Sequence, residues 1–155
     1  MTSLTELLNI ANDRAGPTAS IRYGTGKLAV GDLMEQSARL ATALGQCGIG
    51  PGDRVALWLP NTPAYLALLF ACARIGAVHS VVFGGFSASS LRDRIEDAGA
   101  KMVITADGAT RGGSIVELKQ AVDEALSSGC ETITSVIVQK RTGHDINMQA
   151  GRDIW

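Results

Sequence analysis

The sequence predicts an α/β fold: a parallel sheet with helices on both faces, preceded by a helix and a small β-hairpin. Short apolar runs of strand length alternate with amphipathic stretches of helical length over residues 51–139. These runs are apolar on both faces, which is typical of parallel strands covered on both sides. Eighteen glycines against four prolines supply the many tight turns that such an alternation needs.

The 155 residues correspond to about one domain, in which we distinguish three regions. Residues 1–50 form the helix and hairpin region, residues 51–139 form the sheet core, and residues 140–155 are a polar tail. We interpret the chain as a single truncated domain whose tail leads to a missing remainder.

The first region predicts a helix, a hairpin and a second helix. Ser3 and Glu6 have capping-box spacing and open a helix over about residues 2–14. The Gly-Thr-Gly-Lys segment between two short strands is a hairpin turn, because a phosphate-binding loop would need a different glycine spacing and a following Ser or Thr. The hairpin strands and the second helix occupy residues 20–23, 28–30 and 31–48, and Gly48 stands where a C-terminal glycine cap belongs.

The core region predicts four strands with helices between them. Asn61 caps the first helix, and Ser87 caps the second, which Gly99 closes. Ser114 and Glu117 again have capping-box spacing and open the third helix. The predicted strands are residues 54–59, 78–83, 101–105 and 133–139, and the second is predicted to be buried.

Ligands of parallel sheets gather at the carboxyl ends of the strands, where the loops 60–62, 84–86 and 107–113 are predicted to lie. Gly84 and Gly85 follow a strand and precede the helix start at Ser87, so a ligand could approach the main chain beside a positive helix end. The alternative interpretation is an ordinary strand-to-helix turn that needs positive φ.

A second candidate site is Arg111-Gly112-Gly113-Ser114, which also follows a predicted strand and precedes a predicted helix. A guanidinium beside a glycine pair and a helix N-terminus is suited to hold a phosphate. The alternative is a solvated arginine on a flexible loop with a helix cap behind it.

Composition excludes several function classes. The net charge of −1 leaves no basic field for nucleic acid or for an anionic membrane. Cys47, Cys72 and Cys130 are odd in number and far apart, which indicates reduced thiols in a cytoplasmic protein rather than disulfides or a zinc site. We find no secretory signal, and the longest apolar run has about half the ~20 residues that a membrane-spanning helix needs.

The two histidines are assigned no catalytic role, and no catalytic residue or metal ligand is identified. His79 stands in an apolar run and is predicted to be a core histidine bonded to the backbone, whereas His144 in the polar tail is predicted to be solvated.

Residues 52–119 resemble the N-terminal domain of AMP-forming acyl-CoA synthetases. The stretch from Ala71 through Phe83-Gly84-Gly85-Phe86 to Ser87 is similar to the acetyl-CoA and short-chain acyl-CoA synthetase branch in particular. The other segments that carry the resemblance are residues 52–56, 60–63, 104–107, 111–113, 118–119 and 151–155.

Members of this family activate a carboxylate with ATP and then transfer the acyl group to CoA. The resemblance implies that the loop at Arg111 to Ser114 helps to bind the CoA 3′-phosphate region and that Gly84, Gly85 and Phe86 lie near the CoA entry. Many members have a second basic residue where this chain has Ser114, and a hydroxyl contributes less against phosphate than a guanidinium does.

The expected function is therefore that of an N-terminal fragment of an AMP-forming ligase for acetate or another short-chain carboxylate, inactive alone. Family members also use ATP and Mg, but the ATP loop, the adenylation motif and the C-terminal lysine domain have no counterpart in these 155 residues. Alternatives are a non-catalytic CoA-binding module, a module that pairs with a separately encoded remainder of the ligase, and a gene remnant.

Overall fold

The computed structural model describes residues 4–16 and 18–155, and the chain divides into two compact units. The first unit contains the described residues up to Gly52 together with Asn61–Val78. The second contains Asp53–Pro60 and His79–Trp155.

The first unit consists of helices and one hairpin. Its apolar interior includes Leu33 and Leu44 of the second helix, each 1% exposed, and that helix packs along the third. Arg74 Nε donates to Ser37 Oγ at 2.8 Å and so links the two helices. The elements are α1 (Leu4–Ala15), β1 (Ser20–Tyr23), β2 (Gly26–Ala29), α2 (Val30–Gln46) and α3 (Pro63–Arg74), with β1 and β2 antiparallel.

The predicted helix ends of this unit are confirmed at one position and wrong at another. Gly48 adopts a φ of +79° just after α2, as a C-terminal glycine does. The cap of α3 is Thr62 rather than Asn61, because the Thr62 side chain accepts from the Tyr65 N–H at 3.2 Å. The predicted capping box at Ser3 lies outside the described residues.

The second unit is built on a five-stranded sheet with two helices. Its elements are β3 (Arg54–Trp58), β4 (Val78–Val81, of which His79–Val81 belong to this unit), α4 (Ala88–Ala98), β5 (Met102–Ala106), β6 (Ala109–Arg111), β7 (Ser114–Val116), α5 (Leu118–Leu126), β8 (Ser135–Gln139) and β9 (Asp153–Ile154). The strand order is β4-β3-β5-β8-β9, and the pairs β3–β5, β5–β8 and β8–β9 run parallel. The fold-class prediction is confirmed: an α/β fold with a parallel sheet, flanking helices and a separate small hairpin.

The helix α4 follows its prediction closely. Ser87 Oγ accepts from the Ser90 N–H at 3.2 Å, and Gly99 closes the helix in the left-handed region with a φ of +56°. Leu91 and Ile95 are completely buried, so one apolar face of the helix packs into the core.

The prediction that the second strand is buried is wrong. Val78 and Val81 of β4 are 54% and 53% exposed. Among the described residues β4 is an edge strand, at one end of the strand order, and edge strands are commonly less covered than central ones. His79 is therefore exposed and is not a core histidine.

The predicted helix start at Ser114 is also wrong. Residues 109–116 form a β-hairpin in which Arg111 pairs with Ser114, and α5 begins only at Leu118. Gly112 and Gly113 have φ values of +57° and +83°, as a two-residue type I′ turn requires. The glycine pair therefore favours hairpin formation over the capping box that Ser114 and Glu117 would supply.

The tail contains a strand that the sequence analysis missed. Asp153–Ile154 forms β9 and pairs with β8, and the Val136 N–H donates to the Arg152 carbonyl at 2.9 Å. A two-residue strand is too short to leave a periodic signal in the sequence.

Candidate functional site: the carboxyl edge of the sheet

Two of the predicted site loops leave the same edge of the sheet in the second unit. The Val82 N–H donates to the Leu57 carbonyl at 3.0 Å, so the carboxyl ends of β4 and β3 meet. Trp58 is in register with Thr105, which brings the end of β5 to the same level. Because β3 lies between β4 and β5, the two loops start about 10 Å apart. We call this rim the carboxyl edge.

The first loop, Phe83-Gly84-Gly85-Phe86, is here called the aromatic loop. Neither glycine has positive φ, so the alternative of a positive-φ turn is wrong. A Cβ at Gly85 would lie 2.6 Å from Cε1 of Phe83, so Gly85 instead lets the Phe83 ring lie back over the backbone. The Phe86 N–H donates to the Phe83 carbonyl at 3.0 Å and closes the turn.

The two rings of the aromatic loop face solvent. Phe83 and Phe86 are 65% and 42% exposed, and their ring centroids lie 5.8 Å apart with an interplanar angle of 77°. The Arg94 guanidinium carbon lies 5.9 Å from the Phe86 ring centroid. Exposed aromatic faces with a cation beside them can receive a planar or anionic ligand.

A buried indole lies beneath the aromatic loop. Trp58 is 2% exposed, and its Nε1 would lie 3.7 Å from a Cβ at Gly84. Within the described part of the chain this N–H has no hydrogen-bond partner. An unpaired buried donor costs about 1–3 kcal/mol of folding free energy. Among the described residues, the Trp58 N–H is thus a hydrogen-bond donor without an acceptor beneath the loop.

The second loop is the tip of the β6–β7 hairpin. Arg111, Gly112, Gly113 and Ser114 are all exposed, and a Cβ on either glycine would meet no atom within 4 Å. The glycines are required by the turn itself. The chain continues from Ser114 as β7, and α5 begins only at Leu118, so the helix-dipole part of the phosphate prediction is wrong. A projecting guanidinium and open turn amides remain for an anion.

Two residues of the third predicted loop, Asn61 and Thr62, belong to the first unit. Asn61 and Thr62 there line a cavity of about 340 Å³ whose other walls are side chains of the β1–β2 hairpin and of α3. Its lining is mostly apolar, with Tyr23 and Tyr65 supplying hydroxyls. Burial raises the pKa of Tyr65 above its ordinary value.

The base of the β6–β7 hairpin is organised by Asp107, which the sequence analysis did not single out. Its buried carboxylate accepts from the backbone N–H groups of Gly108 at 2.7 Å, Arg141 at 2.9 Å and Gly143 at 2.7 Å. Both oxygens also accept from the Thr142 N–H, at 3.0 and 3.1 Å. Burial raises the pKa of this carboxyl, but the four N–H donors together lower it to about 2. An Asp directly after a buried strand and before a Gly is the signal that could have identified it.

The prediction of a solvated His144 is only partly right. His144 is half-buried, and its Nδ1 lies 2.7 Å from Thr142 Oγ1. A Cβ at Gly108 would lie 2.8 Å from its Cε1, so the imidazole packs against the backbone at the hairpin base.

Two other features, a metal centre and a membrane-spanning helix, are absent from the described residues. Nowhere in 4–16 and 18–155 do three or more His, Cys, Asp or Glu side chains gather as metal ligands would. No helix in those ranges has the length and apolar character that crossing a bilayer requires.

Comparison with known proteins agrees with the resemblance that the motifs indicated. Residues 9–151 match the AMP-binding enzyme family. The chain is 57% identical over 123 residues to the acetyl-coenzyme A synthetase of Pasteurella multocida, covering 79% of this chain and 19% of that protein.

Two other acetyl-coenzyme A synthetases are similarly close. The protein of Methylobacillus flagellatus is 54% identical over 141 residues, which is 90% of this chain and 20% of the relative. The protein of Emericella nidulans is 50% identical over 125 residues, which is 81% of this chain and 18% of the relative. The chain thus spans about a fifth of the length of these relatives. Because the family match extends over most of its residues, the chain belongs to the AMP-binding enzyme family.

Proposed function

We propose that this chain is the N-terminal part of an AMP-forming ligase that joins acetate or another short-chain carboxylate to CoA, and that its carboxyl edge supplies part of the CoA contact. The observation that carries the proposal is the family match over residues 9–151, which includes both the aromatic loop and the hairpin tip. The relatives that match are acetyl-coenzyme A synthetases.

The side chains of the carboxyl edge suit the phosphates and the adenine of CoA. CoA carries phosphates and an adenine, and the edge presents the Arg111 guanidinium and the exposed rings of Phe83 and Phe86. A guanidinium pairs with phosphate through two parallel hydrogen bonds, and an exposed ring can stack on a base. Gly112 and Gly113 leave the turn free of side chains that would obstruct a ligand, and Ser114 adds a hydroxyl.

A titration with two ligands tests the role of Arg111. We expect Arg111→Ala to weaken CoA binding about tenfold, the loss of one charge-assisted contact. Dephospho-CoA, which lacks the 3′-phosphate, should bind the parent chain and Arg111→Ala equally. The matched control is Arg22→Ala, which removes an exposed arginine from the other hairpin. Equal CoA affinities for the parent and Arg111→Ala would remove Arg111 from the site.

We propose further that the isolated chain does not form acyl-adenylate. Adenylation needs positioned phosphates, Mg and the carboxylate in one place. The Ser/Thr/Gly-rich ATP loop and the aromatic–Thr–Glu motif do not occur in the 155 residues. Acetate-dependent exchange between ATP and pyrophosphate should stay at background, and exchange above background would refute this point.

A second candidate function is pairing with a separate chain that carries the remainder of such a ligase. The feature that favours it is the exposed edge strand β4, because an edge strand with exposed Val78 and Val81 offers backbone groups and apolar side chains to another chain. Co-expression with the remaining four-fifths of an acetyl-coenzyme A synthetase should then give a complex that Val81→Lys weakens. Unchanged complex formation by that variant would remove β4 from the interface.

A cytoplasmic location is part of the same proposal. Cys47, Cys72 and Cys130 are free thiols, which supports a reducing compartment.

A further inference from the structure

We propose that Asp107 is a positioning residue that fixes the direction of the β6–β7 hairpin and thereby holds Arg111 at the carboxyl edge. The ligand part of this inference rests on the proposed function, since it concerns the same CoA contact. Asp107 is completely buried directly after β5 and is therefore not accessible to a ligand, while Arg111 is exposed four residues later.

The hairpin needs an anchor at its base. Residues 110–117 are all exposed, and a two-stranded hairpin without further packing is marginally stable in water. The chain on both sides of the hairpin is hydrogen-bonded to Asp107. The Gly108 N–H donates to the Asp107 carboxylate at 2.7 Å, and the Lys119 N–H points to the Asp107 carbonyl at 3.4 Å. The direction in which the hairpin leaves the sheet is therefore set at this residue.

The same carboxylate also ties the hairpin to a distant turn. Arg141, Thr142 and Gly143 donate their N–H groups to it, and the Asp107 N–H donates to the Gln139 carbonyl at 3.0 Å. Asp107 thus joins the ends of β5 and β8 and the hairpin base through one side chain and its own peptide groups.

Packing at the base leaves little freedom for the hairpin. A Cβ at Gly108 would lie 2.8 Å from Cε1 of His144, 3.0 Å from Cγ2 of Ile115 and 3.0 Å from the Val116 carbonyl oxygen. The backbone at Gly108 is therefore enclosed between the tail and β7. A change at Asp107 or at Gly108 should rotate or loosen the whole hairpin.

A carboxylate is specifically required because all of its partners are donors. An ionised Asp accepts at both oxygens, whereas Asn presents an NH₂ group that would face the N–H groups of Thr142 and Gly143. Asp107→Asn keeps the size of the side chain and removes this acceptor, so it is the variant that tests the role.

The experiment is a double-mutant cycle with CoA, read together with backbone amide relaxation by NMR. We expect Asp107→Asn to weaken CoA binding about as much as Arg111→Ala does, roughly tenfold, and the double variant to bind no more weakly than either. The amides of residues 111–114 should become more mobile in Asp107→Asn. Asp145→Asn, at an exposed aspartate of the tail, is the control and should change neither measurement.

Two outcomes overturn the inference. One is a folded Asp107→Asn protein in which adding Arg111→Ala still weakens CoA binding by the full tenfold. The other is unchanged mobility at residues 111–114. If Asp107→Asn does not fold, Gly108→Ala takes its place, because a Cβ at Gly108 disturbs the packing at the base of the hairpin. The same two outcomes in that variant would overturn the inference. A parent chain that does not bind CoA would refute the proposed CoA contact, and the amide mobilities would still decide the role of Asp107.

Discussion

Lys119 Nζ lies 2.8 Å from Oδ2 of Asp153, and both side chains are completely buried. Lys119 also contacts Asp123 at 2.7 Å and the Asn147 carbonyl at 2.9 Å, while Arg152 bridges Asp123 and Asp153 at 2.6 Å each. Two cations and two anions thus form a neutral network between α5 and the tail. The network explains how a polar segment can add β9 to the sheet.

Replacing Asp153 by Asn should destabilise the fold by about 3 kcal/mol. Removing one partner leaves buried positive charge poorly compensated, which typically costs 3–5 kcal/mol, and the remaining Asp123 keeps the loss at the lower end. Urea unfolding measures the change. Glu35→Gln breaks the exposed Glu35–Arg39 pair and should cost under about 1 kcal/mol. Equal losses in the free energy of unfolding would mean that the buried network stabilises the fold no more than an exposed ion pair does.

Asp107 should make stability depend on pH in the acid range. The pKa of its carboxyl falls from an ordinary value of 3.8 to about 2 on folding. A lowered pKa means stability that is fully present above pH 4 and is lost as the pH falls towards 2, on the order of 2 kcal/mol in total. Urea unfolding between pH 6 and pH 2.5 measures this slope. Asp107→Asn should be less stable at pH 6 and should lack this part of the slope; a slope as steep as that of the parent would assign the acid sensitivity to other carboxylates.

The features that sequence could predict are those decided by neighbouring residues. Ser87 and Gly99 bound α4 as expected because a cap needs only the residues of its own helix end. The exposure of Val81 could not be predicted, because an apolar run does not say which strands lie beside it. Two local signals competed at Ser114, and the Gly112-Gly113 turn outweighed the capping box.

In the candidate site, too, some residues could be predicted from the sequence and others could not. The aromatic loop and Arg111 were identified from motifs, and the structure brings both loops to one edge of the sheet. The role of Asp107 could not be seen, because three of its N–H donors, Arg141, Thr142 and Gly143, stand 34–36 residues later in the chain. Long-range hydrogen bonds of this kind leave no periodicity in a sequence.

Gly99→Ala should destabilise the protein, whereas Gly45→Ala should not. Gly99 has a φ of +56°, and a Cβ there would lie 2.9 Å from Arg54 Nη2, which donates to the Gly99 carbonyl. We expect a loss of about 1–2 kcal/mol. Gly45 lies in α2 with no positive φ and no atom within 4 Å of its Cβ position, so Ala should add up to about 1 kcal/mol. Thermal unfolding of both variants checks the opposite signs, and a stabilising Gly99→Ala would contradict the cap assignment.

The three cysteines should react with a thiol reagent at two distinct rates. Cys72 is completely buried, and burial raises its pKa to about 11 despite the lowering effect of a backbone hydrogen bond. Burial also raises the pKa of Cys130, which is 6% exposed. Since the thiolate is the reactive form, both should label slowly at pH 8, whereas the partly exposed Cys47 should label first.

Mass spectrometry should find one fast site in the native protein and three in urea, and Cys47→Ser should abolish the fast phase. Native labelling of Cys72 as fast as that of Cys47 would show that α3 opens readily, because the Cys72 thiol is enclosed only while that helix stays packed.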